Sequence, residues 1–195
     1  LLNRSLTPRE AARIQTFRDN FIFTGDRRTQ CILVGNAVPP ILGKAIGKAI
    51  IDHAQKANFK TKDKNSKVLK VEFKKYNNKG KFNFVDLFAG AGGFTIGFEK
   101  AGMHSLIGSD FNKNAAKTHE KNYPQIPFLQ GDLSNKDIQD NLMKYIPKNV
   151  FCVVGGPPCQ GFSIFGKRRF VNTRGYNPQE DERNLLVFSF LDIVK

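Results

Sequence analysis

The sequence has no tryptophan, two methionines, three cysteines and only 17 acidic residues against 31 lysines and arginines in 195 positions. Each scarcity excludes something. Cys31, Cys152 and Cys159 are too few and too scattered for a disulfide framework or a zinc site, which fits a reducing, cytoplasmic setting. No run of 18 apolar residues occurs, so no membrane-spanning helix is expected. The start, Leu1 to Ser5, lacks the apolar run and small-residue cleavage site of a signal peptide. The apolar fraction of 40%, with 18 Phe, is enough to build a core and excludes global disorder.

The shortage of acids leaves a formal net charge of +14, which points to a polyanionic partner such as nucleic acid. The charge is unevenly spread. Residues 1–55 carry +4, residues 56–82 carry +8 and residues 83–195 carry +2. More than half therefore sits in one short lysine-rich stretch, which reads as a linker with one short strand at Val68–Phe73. A solvated linker and a DNA-binding arm are both consistent with it.

Before that linker, Thr7-Pro8-Arg9-Glu10 predicts a helix start: Thr7 as N-cap, Pro8 at the first helical position and Glu10 completing a capping box. Ala11, Ile14 and Phe17 form its apolar face. Gly35-Asn36-Ala37-Val38-Pro39-Pro40 is a tight turn. A second helix follows, with Ile41, Leu42, Ala45, Ile46, Ala49 and Ile50 as its buried stripe. By local chemistry alone this is a helix–turn–helix packing unit.

After the linker the pattern becomes strand, glycine-rich turn, helix: Phe82–Phe88, then Ala89 to Gly93, then Phe94–Ala101. That is the first unit of a Rossmann-like sheet. A second strand at Ser105–Ser109 ends at Asp110, 20 residues after Gly90, where a carboxylate can accept ribose hydroxyls. A helix over Asn112–Asn122 and a strand at Phe128–Gln130 follow, leading to Asp132. Ile138, Leu142 and Tyr145 mark another helix, and Val150–Val154 a fourth strand. Both acids lie at strand ends, where α/β sheets bind ligands, but helix N-capping accounts for their spacing equally well.

The fourth strand runs into Gly155-Gly156-Pro157-Pro158-Cys159-Gln160-Gly161-Phe162-Ser163. Two glycines and two prolines give a stiff, sharply turned loop that holds Cys159 at the ligand-binding edge, a candidate nucleophile. Lys167, Arg168, Arg169 and Arg174 favour its thiolate and suit phosphate contact. Cys152, inside a strand, reads as structural. The long segment Gln160–Pro178 carries no helix or strand pattern and reads as a lid or a disordered loop.

These motifs together resemble the DNA (cytosine-5) methyltransferases, the bacterial restriction–modification type in particular. VDLFAGAGGFTIGF, SDFN and GDL resemble the cofactor motifs, GGPPCQGFS the catalytic loop, and ERNLLVFSFLDIV the helix after it. SLTPREAARIQTF and GNAVPP resemble the family's last two motifs, yet here they come first, implying a circularly permuted order. Residues 1–55 would then carry the permuted motifs, 56–82 the linker, and 83–195 the cofactor-binding and catalytic-loop part. No Glu-Asn-Val occurs, and the target-recognition domain is absent. The chain opens without Met and closes inside a predicted helix at Lys195, so it reads as a fragment or one half of a split enzyme.

The resemblance implies an α/β, Rossmann-like methyltransferase fold, mostly parallel, with helices on both faces. It implies S-adenosylmethionine as cofactor, lined by Phe88, Ala89, Gly90, Gly92 and Gly93, with Asp110 on its ribose, Phe111 and Leu133 beside it and Asp132 at its adenine amine. Pro158, Leu186, Asn36 and Val38 are secondary contacts. Cys159 is the implied catalytic nucleophile, adding to carbon 6 of a cytosine flipped out of double-stranded DNA. Gln160, Ser163, Lys167, Arg168 and Arg169 are the implied DNA contacts. The glutamate that would protonate N3 is missing, so a second chain or further segment is the expected partner, and the chain alone should bind cofactor but methylate little or nothing. Two rivals remain at this stage: an RNA cytosine methyltransferase and a non-catalytic nucleic-acid-binding module.

Overall fold

A computed structural model describes residues 4–59, 82–148, 150–158 and 186–195. Cys159, Gln160, Ser163, Lys167, Arg168 and Arg169, and the Val68–Phe73 strand, lie outside the described residues.

Four parallel strands, β1 (Asn83–Leu87), β2 (His104–Asp110), β3 (Phe128–Gln130) and β4 (Cys152–Gly155), lie in the order β3-β2-β1-β4. Seven helices are described: α1 (Pro8–Ile14), α2 (Arg27–Gly35), α3 (Pro40–Phe59), α4 (Gly93–Ala101), α5 (Lys113–Asn122), α6 (Lys136–Met143) and α7 (Leu186–Val194). Chain order therefore reverses direction across the sheet at β1, between β2 and β4, which is where open α/β sheets form a ligand crevice.

The strand pleat sorts β1 onto two faces. Val85 and Leu87 pack with Ile107, Leu142 of α6 and Ile193 of α7. Phe84 points the other way and meets Phe98 of α4, the rings 5.1 Å apart and edge-on. Helices thus cover both faces, as a parallel sheet requires. This is the α/β Rossmann-like arrangement the strand–glycine–helix pattern predicts.

The N-terminal segment is not a packing unit of its own. Its predicted capping box is present: the Glu10 amide donates to Thr7 Oγ1, and the Thr7 amide donates to Glu10 Oε2 at 2.9 Å. Of the predicted face, Phe17 is buried and Ala11 packs against the same core, while Ile14 turns outward. Helix α1 stops at Ile14, which is 70% exposed, and Ala12 is buried instead. Phe17 lies beyond the helix, where it clusters with Phe21 and Phe23 at centroid separations of 4.8–5.0 Å. That cluster joins Ile96 of α4 and Ala115 of α5 in one core.

Helix α2 fills a segment for which the sequence pattern predicted no element, and it runs up to the predicted turn at Gly35. Asp26 caps it by accepting from the Thr29 amide at 2.8 Å. In α3 most of the predicted stripe is exposed, at Ile41, Leu42, Ala45, Ile46 and Ala49, while Ile50 packs against the core. The buried positions are Pro40, Gly43, Gly47 and Ala54. Glycines decide the face because they let two backbones touch. A Cβ on Gly97 of α4 would stand 2.6 Å from the Gly43 Cα, and one on Gly47 would stand 3.1 Å from the Phe98 ring. Apolar periodicity ranks glycine as neutral and so cannot see such a contact. A smaller correction concerns Tyr145, which lies past the end of α6 and is exposed.

The loop between α1 and α2 also docks on α5. Asn122 brackets Ile22, accepting from its amide at 2.9 Å and donating to its carbonyl at 2.8 Å. Thr24 Oγ1 donates to the Asn114 carbonyl at 2.8 Å.

Candidate cofactor site

The site begins with a backbone anomaly. Phe88 has φ 54°, although it carries a Cβ, and Gly90 and Gly92 follow at 55° and 81°. Alternate left-handed residues curl the chain tightly between β1 and α4. A non-glycine held at positive φ costs free energy, and such strain gathers at functional sites. Two internal bonds fix the curl: Ala89 N–H to the Ser109 carbonyl, 2.9 Å, and Gly92 N–H to the Ala89 carbonyl, 2.8 Å. A Cβ on Gly90 would meet nothing within 4 Å, so open space lies beside the loop.

Asp110 closes the loop's front edge. Its Oδ2 accepts from the Gly90 amide and its Oδ1 from the Asn112 amide, each at 2.8 Å. One lone-pair direction per oxygen is left for further donors. The residue is 7% exposed, and burial pushes its carboxyl above the usual carboxylate range while the two amides pull it back. Phe111, next in the chain, is 65% exposed, an aromatic face beside the acid with no partner needed for folding.

N-capping does not explain these acids. The cap of α5 is Asn112, which accepts from Asn114 and Ala115. The cap of α6 is Asn135. Asp132 is exposed and accepts from the Ser134 amide at 2.9 Å in a local turn, while Leu133 beside it is 2% exposed and anchors that turn in the core.

The N-terminal turn reaches the same place. A Cβ on Gly93 would overlap the Val38 carbonyl oxygen, so the Gly-Asn-Ala-Val-Pro-Pro turn lies directly on the start of α4. Val38 is half-buried there, and Asn36, the C-cap residue of α2, is exposed nearby in the chain. Pro158 and Leu186 are half-buried on either side of 159–185, which lie outside the described residues. Phe88, Ala89, Gly90, Gly92, Gly93, Asp110 and Val38, which the resemblance implies as cofactor contacts, come together around one loop.

Two participants escaped the sequence reading, Asp86 and Thr95. Asp86 is fully buried on β1, and its Oδ2 accepts from the Thr95 amide at 3.0 Å and the Thr95 hydroxyl at 2.7 Å. The available signal was an acid inside the otherwise apolar strand FNFVDLF. Its neighbour Cys152 has the opposite character to a nucleophile: burial, and then Asp86, push its thiol up to about 11.

The chain resembles several methyltransferases of restriction–modification type. It is 41% identical over 113 residues to the Type II methyltransferase M1.HphI of Haemophilus parahaemolyticus, covering 57% of this chain and 28% of that protein. It is 37% identical over 113 residues to M.DdeI of Desulfomicrobium norvegicum, covering 58% and 25%, and 35% identical to M.AquIA of Picosynechococcus, covering 57% and 42%. A solved structure described as a DNA modification methyltransferase encoded within an E. coli prophage aligns at 30% identity and a TM-score of 0.43, over 58% of this chain and 28% of that one. The chain spans less than half the length of each of these relatives. The family model for C-5 cytosine-specific DNA methylases matches residues 2–52 and 82–195, taking in both the N-terminal helices and the sheet that they pack against. On that match, which covers most of its length, the chain belongs to the C-5 cytosine-specific DNA methylase family.

Proposed function

We propose that this chain is the cofactor-binding and nucleophile-bearing part of a DNA (cytosine-5) methyltransferase of a bacterial restriction–modification system. The observation that carries the reading is the loop 88–92, tied by Gly90 to Asp110 and backed by Val38 at Gly93. Its chemistry fits S-adenosylmethionine: open backbone, a carboxylate with spare lone pairs and an exposed aromatic ring.

Asp110 accepts the ribose hydroxyls, Phe111 offers its ring to the adenine, and Asp132 accepts from the adenine amine. Phe88, Ala89, Gly90, Gly92, Gly93 and Leu133 shape the cleft, with Pro158, Leu186, Asn36 and Val38 at its margins. When bound, S-adenosylmethionine supplies the electrophilic methyl group. Cys159 thiolate adds to carbon 6 of a flipped cytosine, and the C5–C6 π pair makes carbon 5 nucleophilic. Once carbon 5 is methylated, loss of its proton and expulsion of the thiolate restore the double bond. Gln160, Ser163, Lys167, Arg168 and Arg169 hold the DNA, in the cytoplasm at the nucleoid. The acid for N3 and the base-reading surface come from a second chain or further segment. General acid–base assistance contributes roughly 10²–10⁴-fold in enzymes, so the isolated chain binds cofactor and is nearly inactive.

Covalent trapping on duplex DNA containing 5-fluorocytosine, with S-adenosylmethionine and the complementing region added, tests the reading. A stable adduct is expected with the natural chain and none with Cys159→Ser. Equal adduct from both, or no binding of S-adenosylhomocysteine by calorimetry, overturns it.

A further inference from the structure

Asp86 is a buried acid that touches nothing a ligand could reach. Its Oδ1 has no hydrogen-bond partner among the described residues, and its Oδ2 serves Thr95 twice. An unpartnered buried carboxylate oxygen costs stability, so its presence needs a reason. Thr95 is the third residue of α4, and its amide is the one an N-cap side chain ordinarily satisfies. The N-cap position here is Gly92, at φ 81°, with no side chain to offer. An ordinary Ser, Thr, Asn or Asp cap takes extended backbone and cannot adopt that angle without strain. The left-handed turn that closes the loop therefore forfeits its own cap, and Asp86 supplies one from the strand beneath.

The opposite end of the loop hangs from the other strand acid, since the Gly90 amide donates to Asp110. Loop 88–92 is thus suspended between two carboxylates on neighbouring strands, one facing the cleft and one sealed in the core. We infer that Asp86, acting through Thr95, is a positioning residue that holds the 88–92 loop in its cofactor-binding shape. This rests on the reading that the loop binds S-adenosylmethionine.

The test is calorimetric binding of S-adenosylhomocysteine to the full chain, with thermal unfolding followed alongside. Asp86→Ala should raise Kd roughly tenfold or more at unchanged stoichiometry, the scale of losing a charge-assisted cap. Asp86→Asn retains a carbonyl acceptor for Thr95 and should stay within about threefold of the natural chain. Thr95→Val, which keeps the amide and loses the hydroxyl, should raise Kd by roughly threefold to tenfold. The double variant Asp86→Ala/Thr95→Val should be no worse than Asp86→Ala. Met103→Ala, in the cluster with Phe84 and Phe98, should lower the melting temperature and leave Kd alone.

Unchanged Kd in Asp86→Ala, or strict additivity in the double variant, overturns the inference while the cofactor reading stands. If Asp86→Ala does not fold, an unchanged Kd in Thr95→Val overturns it instead. Failure of the natural chain to bind removes the cofactor reading, and this inference with it.

Discussion

Gly43 and Gly97 meet with no side chain between them, so α3 and α4 touch backbone to backbone. Neither glycine is needed for a turn. Each lies inside a helix, where glycine costs about 0.5–1 kcal/mol relative to alanine. The close approach offsets that cost by bringing Phe98, Ile50 and Ile51 into one cluster with Phe84.

Gly97→Ala should therefore destabilise the chain, although alanine is the better helix former. Overpacking costs typically about 1–3 kcal/mol, which outweighs the propensity gain. The same change at Gly35, where a Cβ would meet nothing within 4 Å, should not destabilise. Urea unfolding of the two variants separates packing from propensity.

Gly93→Ala should weaken S-adenosylhomocysteine binding more than it lowers stability. The new methyl collides with the Val38 carbonyl, and backbone cannot swing aside as a flexible side chain can. The expected displacement is of the Val38 turn away from the loop. Calorimetry on the folded variant reads it as a raised Kd at unchanged stoichiometry.

Asp110→Asn should fold and bind cofactor poorly. An amide oxygen can still accept from one backbone N–H, but its NH₂ puts a donor against the other and removes an acceptor that the proposed function assigns to the ribose hydroxyls. Hydrogen bonds to charged groups contribute about 1.5–3 kcal/mol, so a loss of tenfold or more is expected. Wild-type affinity in this variant would remove Asp110 from the site.

Two buried groups give stability opposite pH dependences. Burial pushes the Asp86 carboxyl up to about 7, so the folded state holds its proton more tightly than the unfolded one. Its penalty is absent well below pH 4 and grows as pH rises to about 7. Burial holds His119 down to about 4, with its Nε2 donating to the Ile126 carbonyl at 3.2 Å, so it is neutral in the fold. It therefore costs stability as pH falls from 6.5 towards 4. Asp86→Asn should remove the falling contribution, so its stability relative to the natural chain increases from pH 4.5 to about 7. His119→Gln should remove the rising one, so its relative stability decreases over pH 4.5–6.5. Denaturant midpoints taken across that range decide both signs.

How much of this was legible depended on the kind of signal. The sheet was, because β1 and β4 are short apolar runs and the glycine turn after β1 leads into an amphipathic helix. Asp110 was legible as an acid 20 residues beyond Gly90, but its bond to the Gly90 amide was not, since spacing carries no geometry. Helix α2 was missed because its apolar residues bunch at Ile32–Val34 rather than recurring; Asp26 with Thr29 was the overlooked start signal. The α3 face was misread because small residues, not large ones, define it. Asp86 was passed over because a strand reading counts it as an interruption rather than as a cap for the next helix.

Helix α3 also has a direction. Gly43 lies by Gly93 and Gly97, and Gly47 by Phe98 and Ala101, so α3 advances the same way as α4. Both therefore travel from the edge where strands end towards the rim where they begin, and Ile50 and Ile51 pack with Phe82 at the doorstep of β1. The folded body accordingly does not register which of its two pieces the gene spells first.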